Sequence, residues 1–342
     1  MKPILHRSLS LLLFLLLSAF GFSQDIHFSQ FFETPLLRNP ALAGIFNGDV
    51  RIQAVYRNQW NSVTTPYQTG SFNGEYKLPI GRGDDFLTIG GEILYDKAGT
   101  VALTSTHILP VANYHKSLSK DRNMYLSVGF MGGLVQRKLD RSKITTNNQY
   151  NGTGYDPTLG DGEALPHQGY TYLDGSVGVS FNSQIGESED NNIFIGAAYH
   201  HFNKAPKVSF YGDNNIDMIP KYVFSGAIKM GVNESSHLTF QADYSKQGAS
   251  REIIAGMMYS YKLDDATNPR YIIDGGALIR WGDAVIPVVK LECLPMSFSL
   301  SYDVNVSQLK TASYGRGGFE LSISYQGTII RDNSETIRCP RF

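Results

Sequence analysis

Beyond its first 23 residues the chain holds no run of 18 apolar residues, yet from about Asp49 onward it alternates apolar and polar in one segment after another. A chain without such runs cannot cross a bilayer as helices. The remaining spanning structure is a closed β-barrel, because in lipid every backbone N–H and C=O must find a partner within the protein. Val50, Ile52, Ala54 and Tyr56 share one face, with Arg51, Gln53 and Arg57 on the other. Leu87, Ile89, Ile93 and Tyr95 stand against Thr88, Gly90 and Glu92, and Leu238, Phe240, Ala242 and Tyr244 against Thr239, Gln241 and Asp243. Met296, Phe298, Leu300, Tyr302 and Val304 oppose Ser297, Ser299, Ser301, Asp303 and Asn305, and Phe319, Leu321, Ile323 and Tyr325 oppose Glu320, Ser322 and Ser324. A period of two with one apolar and one polar face is the pattern of a barrel wall in lipid.

About fourteen such segments of roughly 10–14 residues can be counted, long enough to cross a bilayer when tilted. They start near residues 49, 69, 86, 101, 123, 170, 192, 221, 237, 251, 270, 283, 295 and 317. The predicted fold is all-β: a transmembrane antiparallel β-barrel over residues 49–327, in the outer membrane, with both termini periplasmic. Long connections (Lys138–Gly169 and Asn203–Pro220) are then expected outside the cell, and Pro79–Asp85, Ser117–Arg122 and Leu294–Pro295 as short periplasmic turns. Composition agrees. Charged residues are 18% of the chain, against about 25% in ordinary soluble domains. The formal net charge is −1, so no basic excess points to nucleic acid and no acidic block marks a disordered tail. Soluble alternatives fit less well: a propeller would show a blade-length repeat, and sandwich strands run to about 5–6 residues. Tyr56, Trp60, Tyr76, Tyr95, Tyr114, Tyr199, Tyr222, Tyr244, Tyr261 and Trp281 fall near expected strand ends, as interfacial girdles would have them. Aromatics also favour strands in general.

Residues 1–23 read as a secretory signal peptide: Lys2, His6 and Arg7, then an apolar core from Leu9 to Phe20, then the small Gly21 and Ser23. The apolar core is too short to span comfortably, and no Cys follows it as a lipoprotein would require. Residues 24–48 contain Phe28, Phe31, Phe32, Leu36 and Leu37 but no clean alternation, and Pro35 and Pro40 interrupt them. This stretch is either a plug folded into the lumen, with Phe28, Phe31, Asn39 and Pro40 as its candidate contacts, or a periplasmic arm. Residues 328–342 form a short periplasmic C-terminal tail, either disordered or docked, ending Arg338-Cys339-Pro340-Arg341-Phe342. Those five residues, two cations with a rigid Pro and an aromatic, are the candidate contact for a periplasmic partner. Cys293 and Cys339 are the only cysteines. An oxidising periplasm allows them to bridge, which would pin the tail beneath the barrel, provided their Cα atoms come within about 7 Å.

Catalytic chemistry is not evident. There is no Gly-x-Ser-x-Gly elbow, no His-Glu-x-x-His helix and no phosphate loop. His200 and His201 are adjacent, so on a strand they would point to opposite faces and could not share a metal. Gly129, Gly132 and Gly133 lie in an alternating segment, where glycine eases curvature. No enzyme, cofactor or metal role is expected.

Several ordered blocks resemble one family. Asp25-Ile26-His27-Phe28-Ser29-Gln30, Asn39-Pro40-Ala41 and Ala43-Gly44 are similar to the opening of PorP/SprF proteins. So are Arg57-Asn58-Gln59-Trp60, Tyr302-Asp303-Val304-Asn305, Gly317-Gly318-Phe319-Glu320-Leu321-Ser322 and Cys339-Pro340-Arg341-Phe342. The resemblance implies a non-enzymatic outer-membrane component of the type IX secretion and gliding apparatus. Its implied partners are periplasmic ring proteins, a peptidoglycan-binding adaptor, and a secreted surface adhesin with a C-terminal sorting domain. A barrel of about fourteen strands is too narrow for a folded adhesin, since even 16–18 strands make only an aqueous channel. Docking or anchoring of cargo is therefore expected, with the outer loop 140–168 as the face for it. The alternatives are a plugged channel for passive uptake of small hydrophobic or polar solutes, and an outer-membrane enzyme.

Overall fold

The computed structural model describes residues 25–61, 65–81, 84–119, 121–186, 188, 191–206, 208–211, 217–308 and 310–329. The expected signal peptide lies outside these residues, as do Arg338, Cys339, Pro340, Arg341 and Phe342 of the expected tail. Fourteen strands follow one another: β1 (Val50–Gln59), β2 (Tyr67–Pro79), β3 (Phe86–Ala98), β4 (Leu103–Ser119), β5 (Met124–Lys138), β6 (Gly169–Gln184), β7 (Asn192–His200), β8 (Lys221–Asn233), β9 (Ser236–Gln247), β10 (Ser250–Lys262), β11 (Tyr271–Arg280), β12 (Ala284–Cys293), β13 (Met296–Asn305) and β14 (Arg316–Gly327). Each begins within two residues of the start expected from alternation. Every strand pairs antiparallel with its sequence neighbours, and the register Val50↔Gly327 to Gln59↔Gly318 joins β1 to β14. Closure leaves no strand edge with unpaired backbone groups, the one arrangement of strands that hydrocarbon tolerates.

The alternation sorts inside from outside in the sense opposite to a soluble protein. Ile52, Tyr56, Ile93, Phe240, Phe298, Leu300, Leu321 and Ile323 are exposed on the outer wall, whereas Arg51, Gln53, Glu92, Gln241, Ser299, Ser301, Asp303 and Glu320 are buried in the lumen. Lipid is the solvent this surface is built for. No helix among the described residues is long and apolar enough to cross a membrane. The connections divide between two ends. One end carries the long ones, 139–168 and 201–220; the other carries mostly short turns together with residues 49 and 328.

Residues 25–48 lie inside the barrel. They fold as a 3-10 turn (Phe31–Glu33), a single helical turn (Pro35–Arg38) and a second 3-10 turn (Pro40–Leu42). Pro35 and Pro40 each occupy the first position of a turn, where a missing N–H is no loss. That is why strand alternation stops here. Asp49 is at the short-turn end, where its N–H bonds to the Gly327 carbonyl. Asp25 is at the long-loop end, where its backbone N–H bonds to Gln247 and its carboxylate meets His201 and Lys221. Asp25 and Gly327 thus lie at opposite ends of the barrel, while both termini lie outside the described residues. The physical reason is the inward charge of the wall, which gives this segment partners along the whole lumen.

Four of the buried apolar clusters are built around this segment. Phe31 packs with Ile254, Met258, Leu278, Ile286 and Val288, and Leu36 and Ala43 with Leu109, Val111 and Met131. Leu42 and Ile45 meet Phe194 and Ala227, and Phe28 meets Val55 and Leu94. Each large side chain buried this way contributes about 1.5–3 kcal/mol.

Candidate functional site: the filled lumen

At the long-loop end the segment is held by charge. The His201 ring donates to both oxygens of Asp174, each at 2.8 Å, and reaches Asp25 at 3.4 Å. Burial alone would keep His201 neutral, but the Asp174 and Asp25 hydrogen bonds outweigh it and push its pKa up to about 9. The unfolded ring titrates near 6.5. The raised pKa therefore stabilises the fold fully below about pH 6.5, and that contribution is lost as pH rises through about 9. The melting temperature of the protein should accordingly fall between pH 7 and 10, and the fall should be smaller in His201→Gln, a comparison that thermal scans at the two pH values provide. His201 also corrects an expectation. It follows the end of β7 with φ 57°, and both it and His200 are buried, so the two do not point to opposite faces. His200 instead contacts Ser176 and the Arg38 carbonyl.

One layer further in, wall carboxylates capture the backbone. Glu320 accepts the N–H of Ser29 at 2.6 Å and of Gln30 at 2.8 Å. Asp303 accepts the Ser29 hydroxyl at 2.9 Å. Arg57 bridges Asp303 and Glu320, both at 3.3 Å, and donates to the His27 carbonyl at 2.7 Å. Arg280 reaches Asp303 at 3.2 Å and also binds the Ser29 hydroxyl. The Gln30 amide donates to Ser301 and accepts from Ser299. Ionised groups this deep require partners, and here the partners are the inserted backbone and one another.

Toward the middle, Arg38 lies against Asp243 and over the rings of Phe31 and Phe194, at 4.7 and 5.2 Å from their centroids. Asn39 caps the following turn by accepting from the Ala41 N–H, and its amide donates to the carbonyls of Val179 and Ala197. Asn113 donates to the carbonyls of Ala41 and Ala43, and Ser180 to Ala41. This close approach requires glycine in the wall. A Cβ on Gly129 would fall 2.5 Å from the Ala41 nitrogen and the Pro40 oxygen, and one on Gly178 would coincide with the Asn39 side chain. The reading of Gly129 as a curvature residue is corrected on this point: it makes room for the turn. Gly178→Val should expel the turn, so that trypsin, excluded from buried Arg38 in the parent, cuts after it in the variant; limited proteolysis with mass mapping reads this out.

The segment does not fill the lumen evenly. A cavity of about 290 Å³ remains between it and β8–β12 at the short-turn end, bordered by Phe32, Asn47, Met258 and several charged side chains. On the far side of the Phe31 and Arg38 layer only a void of about 50 Å³ is left.

Of the residues singled out from sequence, the structure brings Phe28, Phe31, Asn39 and Pro40 together inside the barrel. Cys293 is half-buried at the short-turn end with no disulfide partner among the described residues, and Cys339 lies outside the described residues, as does the rest of the candidate contact. The loop 139–168 lacks long secondary structure but is organised by Arg141, which binds Asp161 through two nitrogens at 3.1 Å and the carbonyls of Glu163 and Leu165. The Arg141 hydrogen bond holds the Asp161 carboxyl below its usual range. Tyr150 and Tyr155 form a bridge at the loop's tip and are both exposed. Sequence reading missed Glu320 and Asp303 as anchoring groups, although polar residues at inward positions of the last two strands were the signal.

The family model for the type IX secretion system membrane protein PorP/SprF matches residues 20–325. The chain belongs to the PorP/SprF family. No curated protein sequence matches it. Among solved structures it is similar to the TodX monoaromatic hydrocarbon channel deltaS2 mutant, with TM-score 0.50 and 10% identity over 87% of this chain and 94% of that one. It is also similar to the CymD monoaromatic hydrocarbon channel, with TM-score 0.48 and 11% identity over 88% and 94%. A Pseudomonas aeruginosa FadL homologue gives TM-score 0.46 and 12% identity over 86% and 94%. Likeness at these identities concerns the fold. The PorP/SprF membership makes the protein an outer-membrane component of type IX secretion. The blocks that resemble the family in sequence, far apart along the chain, meet in space: Ser29 and Gln30 bind Asp303 and Glu320, and Arg57 ties these two together.

Proposed function

We propose that this PorP/SprF barrel is a docking and anchoring component of the type IX secretion and gliding apparatus, with no enzymatic role. In this reading its long-loop end faces outward and holds an adhesin bearing a C-terminal sorting domain. Its short-turn end faces the periplasmic ring proteins and the peptidoglycan-binding adaptor, with Arg338, Cys339, Pro340, Arg341 and Phe342 as the contact. The observation that carries the reading is the filled lumen. Residues 25–46 act as a plug tied to the wall by buried ion pairs, which leaves no path for a polypeptide. Loop length supports the orientation, since outer-membrane barrels keep short turns on the periplasmic side. The Arg141-braced loop with its exposed Tyr150 and Tyr155 offers the kind of surface a protein partner uses, adaptable polar contacts around aromatic anchors. A bridge between Cys293 and Cys339 would hold the tail under the barrel.

The test compares the secreted and surface proteomes of a strain lacking the protein with those of its parent. Loss of many proteins with sorting domains makes it a core component, and loss of one large adhesin makes it a dedicated cargo partner. An unchanged proteome would refute the docking role. Passive uptake would then be tested by solute entry into liposomes carrying the barrel.

A further inference from the structure

The lipid-facing wall is not evenly convex: a groove of about 890 Å³ runs across β7–β11. Strand register builds it. Gly226, Ala242 and Ala255 lie side by side on β8, β9 and β10, with Ile195 and Ile279 flanking them in the same row. One row nearer the short-turn end, Ile228, Phe240 and Met257 form a wall, and Trp281 edges the groove toward the long-loop end. Three small side chains thus sink the surface between larger ones. Backbone packing does not demand them, since a Cβ on Gly226 would meet only the Phe194 carbonyl oxygen at 3.7 Å, an ordinary contact.

Toward the long-loop end the same outer face carries two cations. Lys246 of β9 and Arg251 of β10 are direct cross-strand partners, and both are exposed. Like charges directly opposite each other on a sheet repel, and neither side chain has an ion-pair partner among the described residues. On its other side Lys246 lies opposite Tyr222, whose ring stacks with that of Tyr199 at 4.9 Å between centroids. Aromatic rings collect at the level of lipid headgroups, which sets the two cations at the depth of a headgroup phosphate. Four residues of strand separate Lys246 from Ala242, about 13 Å, so a lipid whose head is held by the cations has its chain over the groove floor.

Charge decides between occupants. A second copy of this chain, paired across a two-fold axis on this face, would bring Lys246 and Arg251 against their own copies. A neutral lipid would leave the cations unused, and a free anion would leave the groove unused. We propose that this face binds a phosphorylated glycolipid of the outer leaflet, of the lipid A class, with one phosphate between Lys246 and Arg251 and one acyl chain along Gly226, Ala242 and Ala255. Charge-assisted hydrogen bonds from Lys and Arg suit a phosphate. The choice of leaflet rests on the outward orientation of the long-loop end adopted above.

The full-length barrel in detergent is mixed with diphosphoryl lipid A, phosphatidylglycerol, phosphatidylcholine or inorganic phosphate, and bound molecules are counted by native mass spectrometry. One lipid A should be retained, about tenfold or more tightly than phosphatidylcholine. Lys246→Gln with Arg251→Gln should remove that advantage, and Gly226→Leu, which fills the groove, should weaken retention while the barrel keeps its heat-modifiable migration. Should a variant misfold, the wild-type protein gives the second reading: lipid A should shield Lys246 from an amine-reactive label, with exposed Lys116 labelled as before. Equal retention of lipid A and phosphatidylcholine, retention indifferent to both folded variants, displacement of lipid A by inorganic phosphate at matched concentration, or an unshielded Lys246 would each overturn the proposal. Preference for phosphatidylglycerol would overturn it too, and would place the long-loop end on the inner leaflet; the role in secretion is judged separately, by the proteome comparison.

Discussion

Removing residues 25–46 should turn an electrically silent barrel into one that passes ions in discrete steps across a planar bilayer. Barrels of eight strands are filled by their own side chains and those of 16–18 leave an aqueous channel, so fourteen strands enclose a lumen that something else must fill. Here the filling is the plug: Phe28, Phe31, Leu36, Leu42 and Ile45 supply apolar side chains to four separate clusters. Without it the lumen would be lined by Gln53, Glu92, Ser299, Ser301, Asp303 and Glu320, a hydrated surface. The wall itself would persist, because all fourteen pairings lie outside the deleted stretch. A heat-modifiable, correctly folded deletion variant that stays silent would show that the wall collapses inward and that the plug is not the barrier.

The second large effect concerns Glu320, which is 1% exposed. Glu320→Ala strips acceptors from the Ser29 and Gln30 N–H groups and leaves Arg57 with Asp303 as its remaining carboxylate partner. Breaking a buried pair from one side costs about 3–5 kcal/mol. The expected result is a lower denaturant midpoint, together with proteolytic release of the plug before the barrel unfolds. Glu320→Gln should recover part of the loss, since an amide oxygen still accepts one of the two N–H groups. The double variant Glu320→Ala with Arg57→Ala should lose less than the sum of the single changes, because each single change already breaks the Arg57–Glu320 pair. If both single variants proved as stable as the parent, the ion network would be ornamental.

The wall was legible in the sequence because a strand writes its environment locally. Ile52 and Tyr56 against Arg51 and Gln53 need only a period of two, and strand starts followed from where that period breaks. The interior was legible in kind but not in geometry. Phe28, Phe31, Asn39 and Pro40 fall in a stretch without clean alternation, which marked it as something other than wall, yet nothing near them announces Glu320, 290 positions away from Gln30. Contacts of that separation leave no periodic trace. Gly129 could be read for its backbone but not for the turn that passes over it, and His201 left the strand pattern because its positive φ turns the chain just past β7. Only the place of Arg57, Asp303 and Glu320 within the blocks that resemble the PorP/SprF family hinted that they belong together.

The opposite placement of Asp25 and Gly327 constrains the order of assembly. The seam between β1 and β14 closes around a stretch of its own chain, and ten residue pairs shut it. Once sealed, the ring cannot be threaded by a segment that must run from one mouth to the other with charged side chains seated along the way. Residues 25–48 must therefore be within the curling sheet before the last pairing zips, acting as a mandrel around which the strands bend. The machinery that folds this protein into the membrane must accept a substrate that is already wrapped around its own beginning.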